Sequence, residues 1–160
     1  MFLQKILLPE FIKIDLEADN KEEAFNELIA HYCKTDKSSS HKEIFKAIIT
    51  REDKMSTGIH KGVAVPHGKT NAVNSVRGAL GISRKGIQYD SLDGEPVYLL
   101  FLIIFPLDDT QEHLRFLKHL AAILDIPDFL AELRSQHDPK EASAVICKFE
   151  KMLSSKSALN

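Results

Sequence analysis

The sequence contains no tryptophan and only two cysteines among its 160 residues. Cys33 and Cys147 lie far apart and form neither a C-x-x-C motif nor another spacing typical of metal ligands. This pattern argues against a disulfide framework and against a cysteine-based zinc site. We therefore expect two reduced, packed thiols, as is usual in cytosolic proteins.

Long apolar segments and an excess of one charge are also missing. The longest apolar run, Val97 to Phe105, has nine residues, which is too short for a membrane-spanning helix. The N-terminal segment MFLQKILLPEF lacks the hydrophobic region of a secretory signal before Pro9. The formal net charge is only -2, so the sequence has no basic footprint for nucleic acid or an anionic membrane. We expect a soluble, cytoplasmic protein without a nucleic-acid partner and without direct membrane insertion.

The sequence does contain enough apolar residues for the core of one ordinary domain, which we place at residues 1–160. Hydrophobic residues make up 44% of the chain and charged residues 28%. Val76 to Ile82 and Val97 to Phe105 have the composition of strands, and the second has no polar face. Such a strand is typical of the centre of a sheet that is covered on both sides. With helical patterns before and after it, the sequence predicts an α/β fold, a β-sheet sandwiched between α-helices.

Polar caps mark the predicted helix starts. Asn20, Ser40 and Asp138 each stand three residues before a glutamate, which is the spacing of a capping box. Another helix is predicted between Pro106 and Pro127, where apolar residues recur at helical spacing. Its predicted apolar stripe consists of Leu114, Leu117, Leu120, Ala121 and Leu124.

His67 is the first candidate for chemistry. It lies in a segment, residues 56–69, in which three glycines and a proline surround one short apolar strand. Pro66 fixes its own φ and favours an extended Val65, while Gly68 permits a turn that other residues resist. We predict that His67 protrudes at a strand end, where another protein can approach it. The alternative, an ordinary loop histidine, stays open on this pattern alone.

His113 is the second candidate. Asp108, Asp109 and Thr110 supply caps that place His113 in the first turn of the helix after Pro106. The positive end of the helix dipole disfavours the imidazolium form there, so we expect a neutral ring that donates one hydrogen bond. Positions 113, 117, 120 and 124 share one side of the helix. A half-buried histidine that closes the core explains this spacing equally well.

Arg51 is the third candidate, at the end of the second predicted helix and seven positions after Ile44. It therefore points along the core-facing side, where its guanidinium suits phosphate oxygens. A cation that only stabilises the C-terminus of the helix is the alternative.

The remaining residues indicate neither a metal nor a nucleotide cofactor. His119 follows His113 by six positions, on another face of the helix, and the other four histidines show no ligand spacing. There is no Walker loop and no G-x-S-x-G motif.

Several short motifs together resemble one family. In chain order they are Arg51-Glu52, Ser56–Ile59, Ala64–Lys69, Asp93–Val97 and His113-Leu114. They resemble the IIA proteins of the bacterial phosphoenolpyruvate:sugar phosphotransferase system, in the fructose/mannitol class that includes the nitrogen-regulatory branch. The resemblance covers nearly the whole chain and is strongest in residues 44–124. The run Ile59-His60-Lys61-Gly62 departs from it, because many members have a small residue after the isoleucine.

This resemblance implies a mixed sheet between helices and a phosphorylated histidine. His67 would be phosphorylated through Nε2 by the phosphocarrier protein HPr, with His113 and Arg51 beside the phosphohistidine. On this hypothesis His113 donates a hydrogen bond to a phosphoryl oxygen and Arg51 supplies positive charge. The turn at Thr57 and Gly58 would offer a hydroxyl or amides to the phosphate.

Two functions remain open after the resemblance. In the first, which we favour slightly, the protein is a phosphotransferase that passes the phosphoryl group to a cysteine of a sugar-specific IIB protein or domain. In the second, its phosphorylation state controls a regulatory protein target. A third function, a metal-dependent hydrolase using His67 and His113, would need a carboxylate ligand that the sequence does not identify.

Overall fold

A six-stranded mixed sheet with helices on both faces forms the structure, a computed structural model that describes residues 3–158. The strands are β1 (Ile12–Lys13), β2 (Gly58–His60), β3 (Val63–Ala64), β4 (His67–Lys69), β5 (Arg77–Ile87) and β6 (Val97–Phe105). The helices are α1 (Leu3–Ile6), α2 (Lys21–Thr35), α3 (His41–Glu52), α4 (Thr110–Leu124), α5 (Phe129–Arg134) and α6 (Pro139–Ser157), with a 3₁₀ turn at Pro9–Phe11. Within the described residues, no helix is long and apolar enough to cross a membrane.

β6 is the centre of the sheet, as its unbroken apolar composition predicts. It pairs antiparallel with β5 on one side and parallel with β3 and β4 on the other. Its side chains alternate between two hydrophobic cores. Leu99, Phe101 and Ile103 pack with α4, α5 and α6, whereas Leu100 and Leu102 pack with α2 and α3. The predicted sheet sandwiched between helices is therefore confirmed.

β3 and β4 run along β6 in the same register, interrupted only by Val65 and Pro66. Pro66 has no N–H to donate, although its carbonyl oxygen accepts from Ile103 N at 2.9 Å. His67 therefore begins β4, which continues the line of β3 along β6. The prediction that His67 stands at the end of a strand is corrected, because His67 is the first residue of one.

Glycine is required at position 68 for a reason other than the predicted turn. It lies within β4, and it is absent from the glycines with positive φ. A Cβ atom on Gly68 would lie 2.6 Å from the carbonyl carbon of Ala47. Glycine is therefore required because α3 packs directly on the backbone of β4.

The polar caps act as predicted, and the apolar stripe of α4 is confirmed in part, because Leu120 is buried and Leu117 and Leu124 pack partly buried against the core. The amides of Glu23 and Glu43 donate to the side chains of Asn20 and Ser40, at 3.0 and 3.4 Å. On α4, Leu114 is 64% exposed. The fully buried residues of this helix are Phe116, Leu120 and Ile123.

The run that departs from the family motif forms the tip of the β2–β3 hairpin. Lys61 and Gly62 are its two turn residues, with φ of 52° and 76°. Positive φ at both positions is the signature of a type I′ turn. Ile59 and His60 are exposed beside it.

Candidate functional site

His67 lies between the end of α3 and the start of α4. Its Nδ1 is 2.8 Å from the carbonyl oxygen of Val65. Because a carbonyl oxygen only accepts hydrogen bonds, Nδ1 carries the proton of the neutral ring and Nε2 carries the lone pair. The backbone thereby favours the tautomer in which Nε2 is the nitrogen with the free lone pair.

His113 faces His67 from the first turn of α4. Asp109 caps this helix by accepting from the amide of Glu112 at 2.9 Å. The centroids of the two imidazole rings are 5.6 Å apart, and the ring of Phe105 lies 4.2 Å from that of His113. Nε2 of His113 is buried and has no hydrogen-bond partner in the described part of the chain. A polar atom of this kind is costly unless a ligand pairs with it.

Both histidines are held in the neutral form at neutral pH. Burial lowers the pKa of His67 below its ordinary value of 6.5, and the nearby charge of Arg51 lowers it further. The hydrogen bond to the Val65 carbonyl acts in the opposite direction, but burial has the larger effect. Burial also lowers the pKa of His113, and the charges of Lys69 and Arg51 act in the same direction. A neutral ring is the form in which His67 can act as a nucleophile.

A cleft of about 610 Å³ opens beside His67, and its wall is cationic. Arg51, in the last turn of α3, contributes to the lining and donates from Nη1 to the carbonyl oxygen of Met55 at 2.9 Å. Lys46, Lys54 and Lys69 line the same cleft. The positive charges make the space beside His67 suitable for an anion.

Thr57 and Gly58 lie next to this site, but their polar groups already have protein partners. Thr57 donates from its amide and its hydroxyl to the carboxylate of Glu52, at 2.9 and 2.5 Å. The amide of Gly58 donates to the hydroxyl of Ser56 at 3.2 Å. The structure therefore brings Arg51 and His113 to His67, whereas Thr57 and Gly58 shape the adjoining loop.

Glu52 is the part of the site that the sequence-based candidates omit. Only 5% of it is exposed, and besides Thr57 it binds Nζ of Lys21 at 3.1 Å. The Thr57 hydroxyl accepts in turn from Tyr89, at 2.8 Å. This buried network holds the chain just after Arg51. Glu52 is part of the Arg51-Glu52 motif, but the spacing of the sequence does not show that its side chain is buried beside the site.

An apolar groove of about 180 Å³ lies on the other side of His67. Several of its lining residues are large, and three are unusually exposed. Met55, Ile59 and Leu92 have exposed fractions of 57%, 47% and 60%. Contiguous exposed apolar side chains around a polar centre are typical of a protein-binding surface.

No metal centre is seen in residues 3–158. Groups of three or more histidine, cysteine, aspartate or glutamate side chains that could hold a metal ion are absent from this part of the chain. The pairing of His67 with His113 therefore has no third ligand among the described residues.

Residues 5–148 match the family model for the phosphoenolpyruvate-dependent sugar phosphotransferase system, EIIA 2. The chain belongs to this EIIA family. One relative, the fructose-specific EIIABC component of Bacillus subtilis, is 31% identical over 150 residues. That match covers 86% of this chain but only 24% of the much longer EIIABC protein.

Solved EIIA structures share the fold. The nitrogen regulatory protein IIA-Ntr from Neisseria meningitidis is 31% identical, with a TM-score of 0.83, and the match covers 91% of this chain and 99% of that one. The complex of enzyme IIAMTL with phosphorylated enzyme IIBMTL from Escherichia coli gives a TM-score of 0.71 at 20% identity, covering 87% of this chain and 95% of that one. The predicted family and its mixed α/β fold are confirmed. Equal identity to a sugar-specific and a nitrogen-regulatory EIIA protein leaves the two branches of the family unseparated.

Proposed function

We propose that this chain is a cytoplasmic phosphoryl carrier that accepts a phosphoryl group on Nε2 of His67 from the phosphocarrier protein HPr. The hydrogen bond from Nδ1 to the Val65 carbonyl, at 2.8 Å, carries this proposal. This hydrogen bond holds the ring proton on Nδ1. Nε2 therefore keeps its lone pair, which is directed away from the backbone. No cofactor is required, because donor and acceptor are both proteins.

The reaction is an in-line displacement at phosphorus. The Nε2 lone pair of His67 forms the new N–P bond while the N–P bond of the donor histidine breaks, and its electron pair leaves with the donor nitrogen. The carbonyl of Val65 stabilises the proton on Nδ1, where positive charge increases as Nε2 is phosphorylated. Such transfer depends on positioning and charge more than on covalent assistance.

Arg51 and His113 stabilise the phosphoryl oxygens in this mechanism. Arg51 supplies positive charge from the end of α3. The buried Nε2 of His113, which has no partner in the described structure, donates to an oxygen of the phosphoryl group. The 5.6 Å between the two imidazole centroids suits one phosphoryl group bound between them. Thr57 and Gly58 contribute by shaping the loop next to it.

The acceptor we propose is a cysteine of a sugar-specific IIB protein or domain. The exposed apolar groove beside His67 suits a protein partner, and a relative of the same fold has been solved as a complex with phosphorylated IIBMTL. A regulatory protein target is the second candidate, favoured by the TM-score of 0.83 to a nitrogen regulatory protein over nearly the whole chain.

The first reaction is tested with phosphoenolpyruvate, enzyme I and HPr. We expect an acid-labile, base-stable mass gain of one phosphoryl group on the wild-type chain and none on His67→Ala. Full labelling of His67→Ala would place the phosphoryl group elsewhere and refute the proposal.

The acceptor is tested by a chase of the labelled protein. Unlabelled fructose- or mannitol-type IIB protein is added, and the label on each protein is followed with time. Rapid movement of the label onto IIB supports the sugar branch. Label that stays on His67 supports the regulatory branch.

A further inference from the structure

The cleft beside His67 is larger than a phosphoryl group requires. Its volume of about 610 Å³ lies in the range of sites for small molecules. One wall is formed by α3, with Lys46 and Thr50 one turn apart, and by Lys54 just beyond the end of this helix. The other side is formed by β4 and by the start of α4. The space can therefore hold a whole low-molecular-mass ligand next to the nucleophile.

The charges of the cleft select an anion. Lys46, Arg51, Lys54 and Lys69 line it, and Glu43 is the one carboxylate among its described lining residues. These cations are spread along the cleft, so they reach beyond the phosphoryl group itself. A ligand with a dianionic phosphoryl group and a small polar remainder fits this distribution.

The cleft and the apolar groove are separate surfaces that meet at His67. Only His67 and Arg51 line both of them among the described residues. His67 therefore borders the cationic cleft as well as the apolar groove, so a small anion bound in the cleft lies next to its ring. The polar route thus offers access to the nucleophile without a protein donor.

We propose that His67 is also phosphorylated directly by low-molecular-mass acyl phosphates bound in this cationic cleft, an inference that rests on the proposed function. The Nε2 lone pair forms an N–P bond as the P–O bond to the acyl group breaks. The electron pair of that bond leaves with the carboxylate, and the proton on Nδ1 stays in place. The products are phosphohistidine and the free carboxylate, so no co-reactant is needed.

Acetyl phosphate is the probe for this reaction. The purified chain, without enzyme I or HPr, is incubated with millimolar acetyl phosphate and the phosphorylated mass is followed with time. We expect labelling of the wild-type chain, none of His67→Ala, and a rate about three- to ten-fold lower in Lys46→Gln/Lys54→Gln at low ionic strength. Inorganic phosphate, added as a competitor for the cleft, should slow the wild-type reaction.

Lys151→Gln/Lys156→Gln is the matched control, because it removes two exposed charges from α6, away from the cleft. Its rate should equal that of the wild type. An unchanged rate in the double cleft variant would overturn the assignment of the cleft. Absence of labelling by acetyl phosphate in a sample that phospho-HPr labels would overturn this inference and leave the proposed function intact, whereas failure with both donors would refute both.

Discussion

A single backbone carbonyl determines which nitrogen of His67 can react. Val65 and His67 lie on either side of Pro66, and the stiff proline holds the carbonyl oxygen 2.8 Å from Nδ1. The proline therefore matters for the tautomer as well as for the position of the side chain.

Substitution of His113 by alanine tests its role at the phosphoryl group. We expect His113→Ala to slow phosphorylation by HPr about 10²-fold, the usual cost of losing one donor to a developing anion. The fold should be preserved, since the ring is only partly buried. Rates are measured by quenched-flow labelling and folding by circular dichroism.

His137→Ala is the control, because this histidine is exposed beyond the end of α5. It should leave the rate unchanged. A His113→Ala chain that does not fold would support the alternative of a histidine that only closes the core.

The pH dependence follows from the lowered pKa of both histidines. Because burial lowers the pKa of His67 and His113 in the folded state below 6.5, the unfolded chain takes up protons first as the pH falls. The free energy of unfolding should therefore decrease below about pH 6.5 and be independent of these groups above it. Urea unfolding of the wild type and of His67→Gln at pH 7.5 and 5.5 checks this. A wild-type loss no larger than that of His67→Gln would contradict the assignment to His67.

The individual site residues differed in how far the sequence could predict them. His67 was marked by its glycines and proline, and His113 and Arg51 by their positions at helix ends. Their convergence depends on the pairing of β4 with β6 and on the packing of α3, which are long-range contacts that local patterns do not encode. The roles of these residues stay predictions, because only labelling can test them.

At the scale of elements, the contact between α3 and β4 sets the distance from Arg51 to His67. A Cβ atom on Gly68 would clash with the backbone of Ala47. We expect Gly68→Ala to lower the free energy of unfolding by about 1–3 kcal/mol. It should also slow phosphorylation, because α3 carries Arg51 away as it shifts. Chemical denaturation and the HPr assay measure the two effects.

Gly94→Ala is the control for Gly68→Ala, because it introduces backbone strain without crowding any neighbouring atom. Gly94 has a φ of 73°, and a Cβ atom added to it would meet no other atom within 4 Å. Its substitution should cost stability through strain alone and leave the rate unchanged. Equal effects of both substitutions on the rate would show that the α3–β4 contact has no special part in the site.

Elements with strong patterns are predicted well from the sequence, whereas three of the shortest are not. β6 matches its predicted range, Val97 to Phe105, because a strand buried on both faces has an unmistakable composition. β2, β4 and α1 have only three or four residues each and form because of their neighbours. Helical spacing predicts Leu114 in the buried stripe of α4, because spacing alone does not show that this part of the helix borders an open site.

At the scale of the whole molecule, Glu150 joins three parts of the helical layer. Its buried carboxylate accepts from the amides of Leu3 and Gln4, at 2.8 and 3.0 Å, and lies 2.6 Å from Nε2 of His119 on α4. We expect Glu150→Gln to lower the free energy of unfolding by about 2 kcal/mol, since bonds to a charged acceptor are replaced. Urea unfolding measures this.

Glu22→Gln, on the exposed first turn of α2, is the matched control and should change stability by about 0.5 kcal/mol or less. Phosphorylation per folded molecule should be normal in both variants, because Glu150 lies outside the described site. A Glu150→Gln chain as stable as the control would show that the carboxylate is replaceable.

The central position of β6 has a consequence for synthesis on the ribosome. One face of this nine-residue apolar strand is covered by α4, α5 and α6, which all follow it in the chain. Until those helices emerge from the exit tunnel, Phe101 and its neighbours present an uncovered strand of the kind that aggregates. We expect nascent chains stalled soon after residue 105 to bind chaperones strongly, and chains that include α6 to be released.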